Sequence, residues 1–255
     1  MIFVIDIGNT NIVLGVYQGK DLLHLWRIST DIRKTSEEYL IAIHNLFRIH
    51  SLDPRDVECT VMGSVVSPLD SIFRKVVKTL TNKEIHLVDL TCFPHMPILM
   101  DKPEEVGADR LLNASAGFHN YGGPLIIIDF GTATTFDVVS ANGEYLGGII
   151  ATGLVLSLEA LTAKAFKLPK IDLVQPKSVI GKNTAHAMRS GIVFGYAGMV
   201  DSLVAKISEE LGAQPRVIAT GGLASLIKPV SATIEVVSDD LTLKGLYMIS
   251  QSLVT

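Results

Sequence analysis

Apolar residues run almost unbroken from Ile2 to Ile7 and again from Ile12 to Tyr17, with the polar stretch Gly8-Asn9-Thr10-Asn11 between them. Short continuous apolar runs bounded by turn-forming residues predict buried strands, here joined as a hairpin. A third run, LLHLWRIST, follows Gln18-Gly19-Lys20-Asp21 and completes a three-strand meander. Leu40, Ile41, Ile43, Leu46 and Phe47 then recur at helical spacing, predicting a helix over 36–50. VECTVMGSVV reads as a buried strand, Pro68 suits the first turn of a helix running to about Leu80, and EIHLVDL is a further strand. Three prolines between Thr91 and Pro103 predict an irregular crossing segment, with a helix after it over 104–119.

The pattern then restarts. PLIIIDFG, TTFDVVS and EYLGGII predict a second meander, with Asn142-Gly143 as a tight-turn signal. Helices follow at 157–165 and 184–211, then the strand PRVIATGG, a short helix, the strand ATIEVVS and a last helix at 243–252. One charge interrupts the first strand of each half: Asp6 and, 123 positions later, Asp129. That spacing, close to half the chain, points to a duplicated β-β-β-α-β-α unit and to two domains, 1–118 and 119–255.

Composition narrows the classes of function. A chain of 255 residues with 48% hydrophobic content can bury a substantial core. Its 22 basic and 26 acidic residues, net charge −4, include no basic run that would make a nucleic-acid groove. Cys59 and Cys92 lie 33 positions apart without CxxC spacing, fitting neither a disulfide framework nor a zinc site. No apolar run approaches the roughly 20 residues a membrane helix needs. A cytoplasmic protein with neither nucleic-acid nor membrane partners is the expectation. HExxH, nucleophile-elbow and Walker A patterns are absent from the sequence.

A buried carboxylate must be paired, bound to an ion or neutralised. Asp6 is followed by Ile7, Gly8, Asn9, Thr10, Asn11, Ile12 and Val13, and Asp129 by Phe130, Gly131, Thr132, Ala133, Thr134 and Thr135. Such turns offer backbone N–H groups to phosphate oxygens, while the aspartate can hold a cation. The alternative is an ordinary hairpin whose aspartate is satisfied by turn amides. Gly221 and Gly222, between a strand and a helix, would let a ligand approach the backbone closely, or would simply make a turn. On a helix Asp109 has Glu105 four residues before it and Asn113 four after, so it gains no intrahelical ion partner. It is either a reactive group or a dipole-stabilising residue near a helix start. Thr184 is either a helix cap or a ligand contact. Gly191, Gly195 and Gly198 thin one side of their helix, for close packing within the chain or across a subunit interface.

Taken together, DIGNTN (6–11), EVGADR (105–110), DFGTATT (129–135), GKNT (181–184) and TGG (220–222) resemble the type III pantothenate kinases. That family lies in the acetate and sugar kinase/Hsp70/actin superfamily, and the resemblance covers essentially the whole chain. It implies an α/β fold of two ribonuclease-H-like (actin-like ATPase) domains, each a mixed sheet that starts with a three-strand meander and is flanked by helices. The implied reaction carries the γ-phosphoryl group of ATP to the 4′-hydroxyl of pantothenate, the first committed step of coenzyme A synthesis.

By the same resemblance, Asp6 organises Mg²⁺ and phosphates, and Gly8 to Val13 form a phosphate loop. Thr132, Gly221 and Gly222 meet ATP, and Asp129 binds a monovalent cation, K⁺ or NH₄⁺. Gly107, Ala108, Asp109, Arg110 and Thr184 meet pantothenate, with Asp109 as catalytic base. A homodimer is also implied. Two departures stand out: Met100 where relatives often carry a tyrosine near the substrate, and Ser67 between SVV and Pro68. Two rival readings are a nucleotide-binding transcriptional regulator without catalysis and a kinase acting on a sugar or short acid. Intact Asp6, Asp109, Arg110 and Asp129 argue against the first, and the GADR and GKNT matches against the second.

Overall fold

The first apolar run becomes strand β1 (Ile2–Ile7), buried at every position except Asp6. It pairs antiparallel with β2 (Asn11–Gln18), which pairs antiparallel with β3 (Asp21–Ser29), giving the expected meander. On its other side β1 lies parallel to β4 (Cys59–Ser64), and β4 lies parallel to β5 (Ile85–Leu87). Parallel neighbours need crossovers, which helices α1 (Ser36–Ile49) and α2 (Asp70–Thr81) supply. Thr35 and Glu38 close a capping box that fixes the start of α1, placing Tyr39, Ile43 and Phe47 on its buried face. These side chains pack with Phe73, Val76 and Val77 of α2 onto Phe3, Ile5, Ile12 and Leu14.

The computed structural model describes residues 1–165 and 167–254. Among them the second half repeats the first. Strands β6 (Leu125–Phe130), β7 (Ala133–Val139) and β8 (Tyr145–Thr152) form the meander, and β9 (Arg216–Thr220) and β10 (Val236–Val237) extend it in parallel. The sheet orders are β3-β2-β1-β4-β5 and β8-β7-β6-β9-β10. Even the register shift repeats, between Val16 and Tyr17 in β2 and between Val138 and Val139 in β7. Helices α4 (Leu154–Lys164), α5 (Thr184–Leu211) and α6 (Ala224–Ile227) belong to this half. Val193, Ala197, Val200 and Val204 of α5 pack on Ile126, Ile128, Phe136 and Val138. The α/β architecture of two mixed, helix-flanked sheets is therefore the one the motifs implied.

Contacts group the chain into two compact units, and their bounds differ from a division at residue 118. Unit one is Met1–His95 and Lys102–Ala116 together with the C-terminal helix α7 (Leu241–Val254); unit two is Met96–Asp101 and Gly117–Asp240. Helix α7 returns to unit one because its apolar face fits there: Leu243 meets Gly15, Leu246 lies near Gly63, and Tyr247 stacks on Tyr17 with ring centroids 4.5 Å apart. The segment 96–101 joins unit two by backbone pairing: Tyr145 N–H donates to Pro97 C=O at 2.8 Å and Leu99 N–H to Tyr145 C=O at 2.8 Å.

Other differences are local. The helix expected over 104–119 is a 3₁₀ turn at Pro103–Glu105, then α3 (Ala108–Tyr121), with an extended Val106 and the non-helical Gly107 between them. The strands expected from EIHLVDL and ATIEVVS shrink to three and two residues at the parallel edges of their sheets. By length and composition α5 is apolar enough to cross a membrane, contrary to the reading of the sequence. Its buried stripe is part of the unit-two core.

Gly245 of α7 lies so close to α3 that a β-carbon there would stand 2.6 Å from the Leu112 carbonyl oxygen. Gly245→Ala is expected to cost about 1–3 kcal/mol, the usual range for overpacking, read from urea unfolding. An unchanged midpoint would mean that α7 can shift away from α3.

Candidate active site

Asp6 and Asp129 occupy equivalent places. Each is the penultimate residue of a central strand with an antiparallel neighbour on one side and a parallel one on the other: Asp6 opposite Val13 and Gly63, Asp129 opposite Thr135 and Thr220. In open α/β sheets, ligands bind outside the carboxyl ends of the strands, where neighbouring connections diverge. Both carboxylates are half-buried, between neighbours that are buried.

The turns after them are closed by matching hydrogen bonds. Gly8 N–H donates to Asn11 C=O at 3.0 Å and Gly131 N–H to Ala133 C=O at 3.0 Å. Thr30 N–H donates to Thr10 C=O at 3.0 Å, and Gly153 N–H, at the place of Thr30 in the repeat, donates to Thr132 C=O at 3.1 Å. The Thr30 hydroxyl adds a 2.6 Å bond to Gly8 C=O. Asn9, Thr10, Asn11 and Thr132 stand exposed on these braced turns, whereas Ile7 and Ile12 point into the core and could offer a ligand only backbone. Thr30 and Gly153 were not singled out from the sequence, although they too are 123 positions apart.

In unit two, the parallel pairing of β6 with β9 brings Gly221 onto Asp129. Gly221 has φ +87°, and a β-carbon there would collide with Asp129 Oδ1 and stand 2.8 Å from the Phe130 backbone. From the other side, a β-carbon on Gly131 would be 3.6 Å from the same oxygen. Asp129 thus lies in a cradle that two glycines keep open, with Thr132 beside it and Gly222 exposed next to Gly221. A carboxylate oxygen is the type of donor that suits a hard cation, and the two glycines keep side chains away from it.

In unit one, the Val106-Gly107 break turns α3 so that Asp109 folds back over Gly107. Asp109 Oδ1 accepts from Arg110 N–H at 2.9 Å and would lie 2.5 Å from a β-carbon on Gly107, so a side chain there would displace the carboxylate. Gly107 in turn lies against Val65, just past the end of β4, the strand on which Gly63 opposes Asp6. Burial pushes the Asp109 carboxyl above the ordinary aspartate range, outweighing the Arg110 contacts that lower it. Ala108 and Arg110 flank it, both half-buried.

Thr184 is the first residue of α5 and is exposed. The cap is Asn183, whose Oδ1 accepts from His186 N–H at 2.9 Å, so the capping role considered for Thr184 belongs to its neighbour. Gly181 sits against the backbone of His186 and Ala187, where no side chain would fit.

Comparisons with known proteins bear on the fold and the family. A protein from Campylobacter jejuni described as a Baf family transcriptional activator superposes with a TM-score of 0.62 at 15% identity, covering 98% of both chains. A ROK hexokinase from Thermus thermophilus superposes with a TM-score of 0.53 at 15% identity over 99% of this chain and 98% of that one. At these identities the likeness concerns the fold, that of the actin-like ATPases and sugar kinases. The type III pantothenate kinase family profile matches residues 2–206, and a type III pantothenate kinase of Geobacter sp. (strain M21) is 50% identical over 251 residues, 98% of this chain and 99% of that protein. The chain belongs to the type III pantothenate kinase family.

Because burial disfavours the charged form of Asp109, its folded-state pKa is above its unfolded one. The folded state therefore binds that proton more tightly, and stability is lost as pH rises through the folded value. Asp109→Asn is expected to be at least as stable as the parent at pH 7.5, with any advantage vanishing below about pH 4, where both states are protonated. Urea midpoints at the two pH values check this.

Proposed function

We propose that this chain phosphorylates the 4′-hydroxyl of pantothenate with ATP and Mg²⁺ in the first step of coenzyme A synthesis, using Asp109 as general base. Family membership supports the reaction. The observation that carries the residue roles is the back-folded Asp109: a carboxylate held over a glycine at the end of the sheet that bears Asp6. In this reading the pantothenate hydroxyl oxygen attacks the γ-phosphorus, the bond to the β,γ-bridging oxygen breaks, ADP leaves, and the hydroxyl proton passes to Asp109. A carboxyl raised by burial is a better proton acceptor than an exposed one, and phosphoryl transfer otherwise needs mainly alignment and charge neutralisation.

Asp6 would hold Mg²⁺ by way of the phosphates, whose negative charge that ion offsets when bound. The Gly8–Val13 turn would donate backbone N–H groups to them. Asp129, in its glycine cradle, would hold a monovalent cation, K⁺ or NH₄⁺. Thr132, Gly221 and Gly222 line the same turn cluster and would face the nucleotide. Gly107, Ala108, Arg110 and Thr184 would orient pantothenate. The chain acts as a homodimer in this reading: β-carbons placed on Gly191, Gly195 and Gly198 of α5 would meet nothing within 4 Å, which leaves that stripe open to a second copy. Free thiols at Cys59 and Cys92 fit a cytoplasmic setting.

Asp109→Asn is expected to lower pantothenate-dependent ADP release by about 10²–10⁴-fold, with phosphopantothenate checked by mass. Turnover within a few-fold of the parent would remove Asp109 from the base role. Asp129→Ala is expected to abolish the difference between rates in KCl and in NaCl. An unaltered preference for K⁺ in that variant would place the cation elsewhere.

A further inference from the structure

The repeat provides an internal control for one buried feature of unit two. Strand β7 carries Asp137, a fully buried carboxylate in the interior of a sheet. The fully buried Tyr145 donates its phenol proton to Asp137 Oδ1 at 2.7 Å, and the Thr135 hydroxyl donates to Oδ2 at 3.3 Å. Thr135 stands directly opposite Asp129, and Asp137 opposite Ile127, so all four share one face of the sheet. Tyr145 is fixed through its backbone, which bonds to Pro97 and Leu99.

Register identifies the same places in unit one. Asp6 opposes Val13 as Asp129 opposes Thr135, Val4 opposes Gly15 as Ile127 opposes Asp137, and Tyr17 opposes Leu22 as Val139 opposes Tyr145. The polar trio Thr135, Asp137 and Tyr145 is therefore the apolar trio Val13, Gly15 and Leu22. The space above Gly15 is filled by Val4, Leu22 and Leu243, whose nearest carbons would stand 2.8–3.3 Å from a β-carbon on it. The same strand order with the same register shift folds with hydrocarbon at these positions. A carboxylate in a core is costly to desolvate and is not required by this architecture.

We infer that Asp137, oriented by Tyr145, is a positioning residue for the Asp129 cation site. Its role follows from two consequences of the geometry. By accepting the Thr135 proton, Asp137 turns that hydroxyl so that lone pairs, the part a hard cation binds, are what it presents elsewhere. When ionised, it also sets a second negative charge diagonally behind Asp129, at the roughly 7–8 Å of diagonal neighbours on adjacent strands. In low-dielectric surroundings such a charge strengthens the hold on a cation. The inference rests on the reading of Asp129 as the cation ligand.

The test uses the full chain and three variants, Asp137→Asn, Tyr145→Phe and Asp129→Ala. KCl is titrated against choline chloride at fixed ionic strength, with Mg²⁺ and a non-hydrolysable ATP analogue. The readouts are the K⁺-dependent rise in melting temperature and, separately, the K⁺ dependence of turnover. Asp137→Asn is expected to raise the K⁺ concentration for half-maximal effect by about 10-fold or more in both readouts, with turnover at saturating K⁺ within about 3-fold of the parent. Tyr145→Phe should shift it in the same direction by less.

A merely structural role would lower the melting temperature without moving the K⁺ midpoint, and that result overturns the inference while leaving Asp129 in place. Should Asp137→Asn fail to fold, Tyr145→Phe decides, since an unmoved midpoint in that variant refutes the relay. If Asp129→Ala keeps the parent's K⁺ response, or the parent has none, the reading of Asp129 fails and this inference with it.

Discussion

The placing of Asp6 and Asp129 hangs on how one strand in each unit is paired. Strand β1 has an antiparallel neighbour in β2 and a parallel one in β4, and β6 has the same arrangement with β7 and β9. A hairpin partner takes the chain back at once, whereas a parallel partner requires the chain to return from the far end. The last residues of the central strand are therefore left without a crossing segment on the parallel side. A carboxylate at that spot keeps access to solvent although its sequence neighbours lie in the core, which is why Asp6 and Asp129 are tolerated inside apolar runs. Glycines at 8, 131 and 221 then let backbone close in around them.

Of the aspartates proposed to carry chemistry, three are held in different ways. Asp6 and Asp129 lie at strand ends, where a bound cation can offset their charge. Asp109 lies on a helix start folded over Gly107, and burial raises its proton affinity. A group placed to accept a proton gains from a destabilised charge, while a group placed to hold a cation gains from a stable one. The destabilised charge is a stability cost of the folded chain, concentrated in one side chain.

Much of this was legible in the sequence because the apolar runs are short, continuous and bounded by turn residues. Those runs located the meanders, and the 123-residue interval between Asp6 and Asp129 exposed the duplication. What was not legible depended on tertiary partners. The helical pattern of 243–252 does not say which half it packs on; that is decided by Gly15 and Gly63, distant in sequence, which leave room for Leu243 and Leu246. The start of α3 was placed too early because Glu104 and Glu105 look like a helical first turn, while the Gly107 break that aims Asp109 has no compositional signal of its own. Asp137 has no sequence signal of its own within TTFDVVS, and only the register with unit one marks it as unusual.

The return of α7 to unit one has a consequence for how the chain is made. Strands β1 and β4 are synthesised first, yet one face of their sheet receives its apolar cover from the last helix, after all of unit two has been built. Domains emerging from a ribosome usually fold in order from the N-terminus. Here the order is inverted for completion: unit two has all its residues while unit one still waits with an uncovered sheet. The closing turns of α7 thus act as the final fastener of the earliest part of the chain, and a ribosome that stops before Leu241 releases a polypeptide whose second half is whole and whose first half is not.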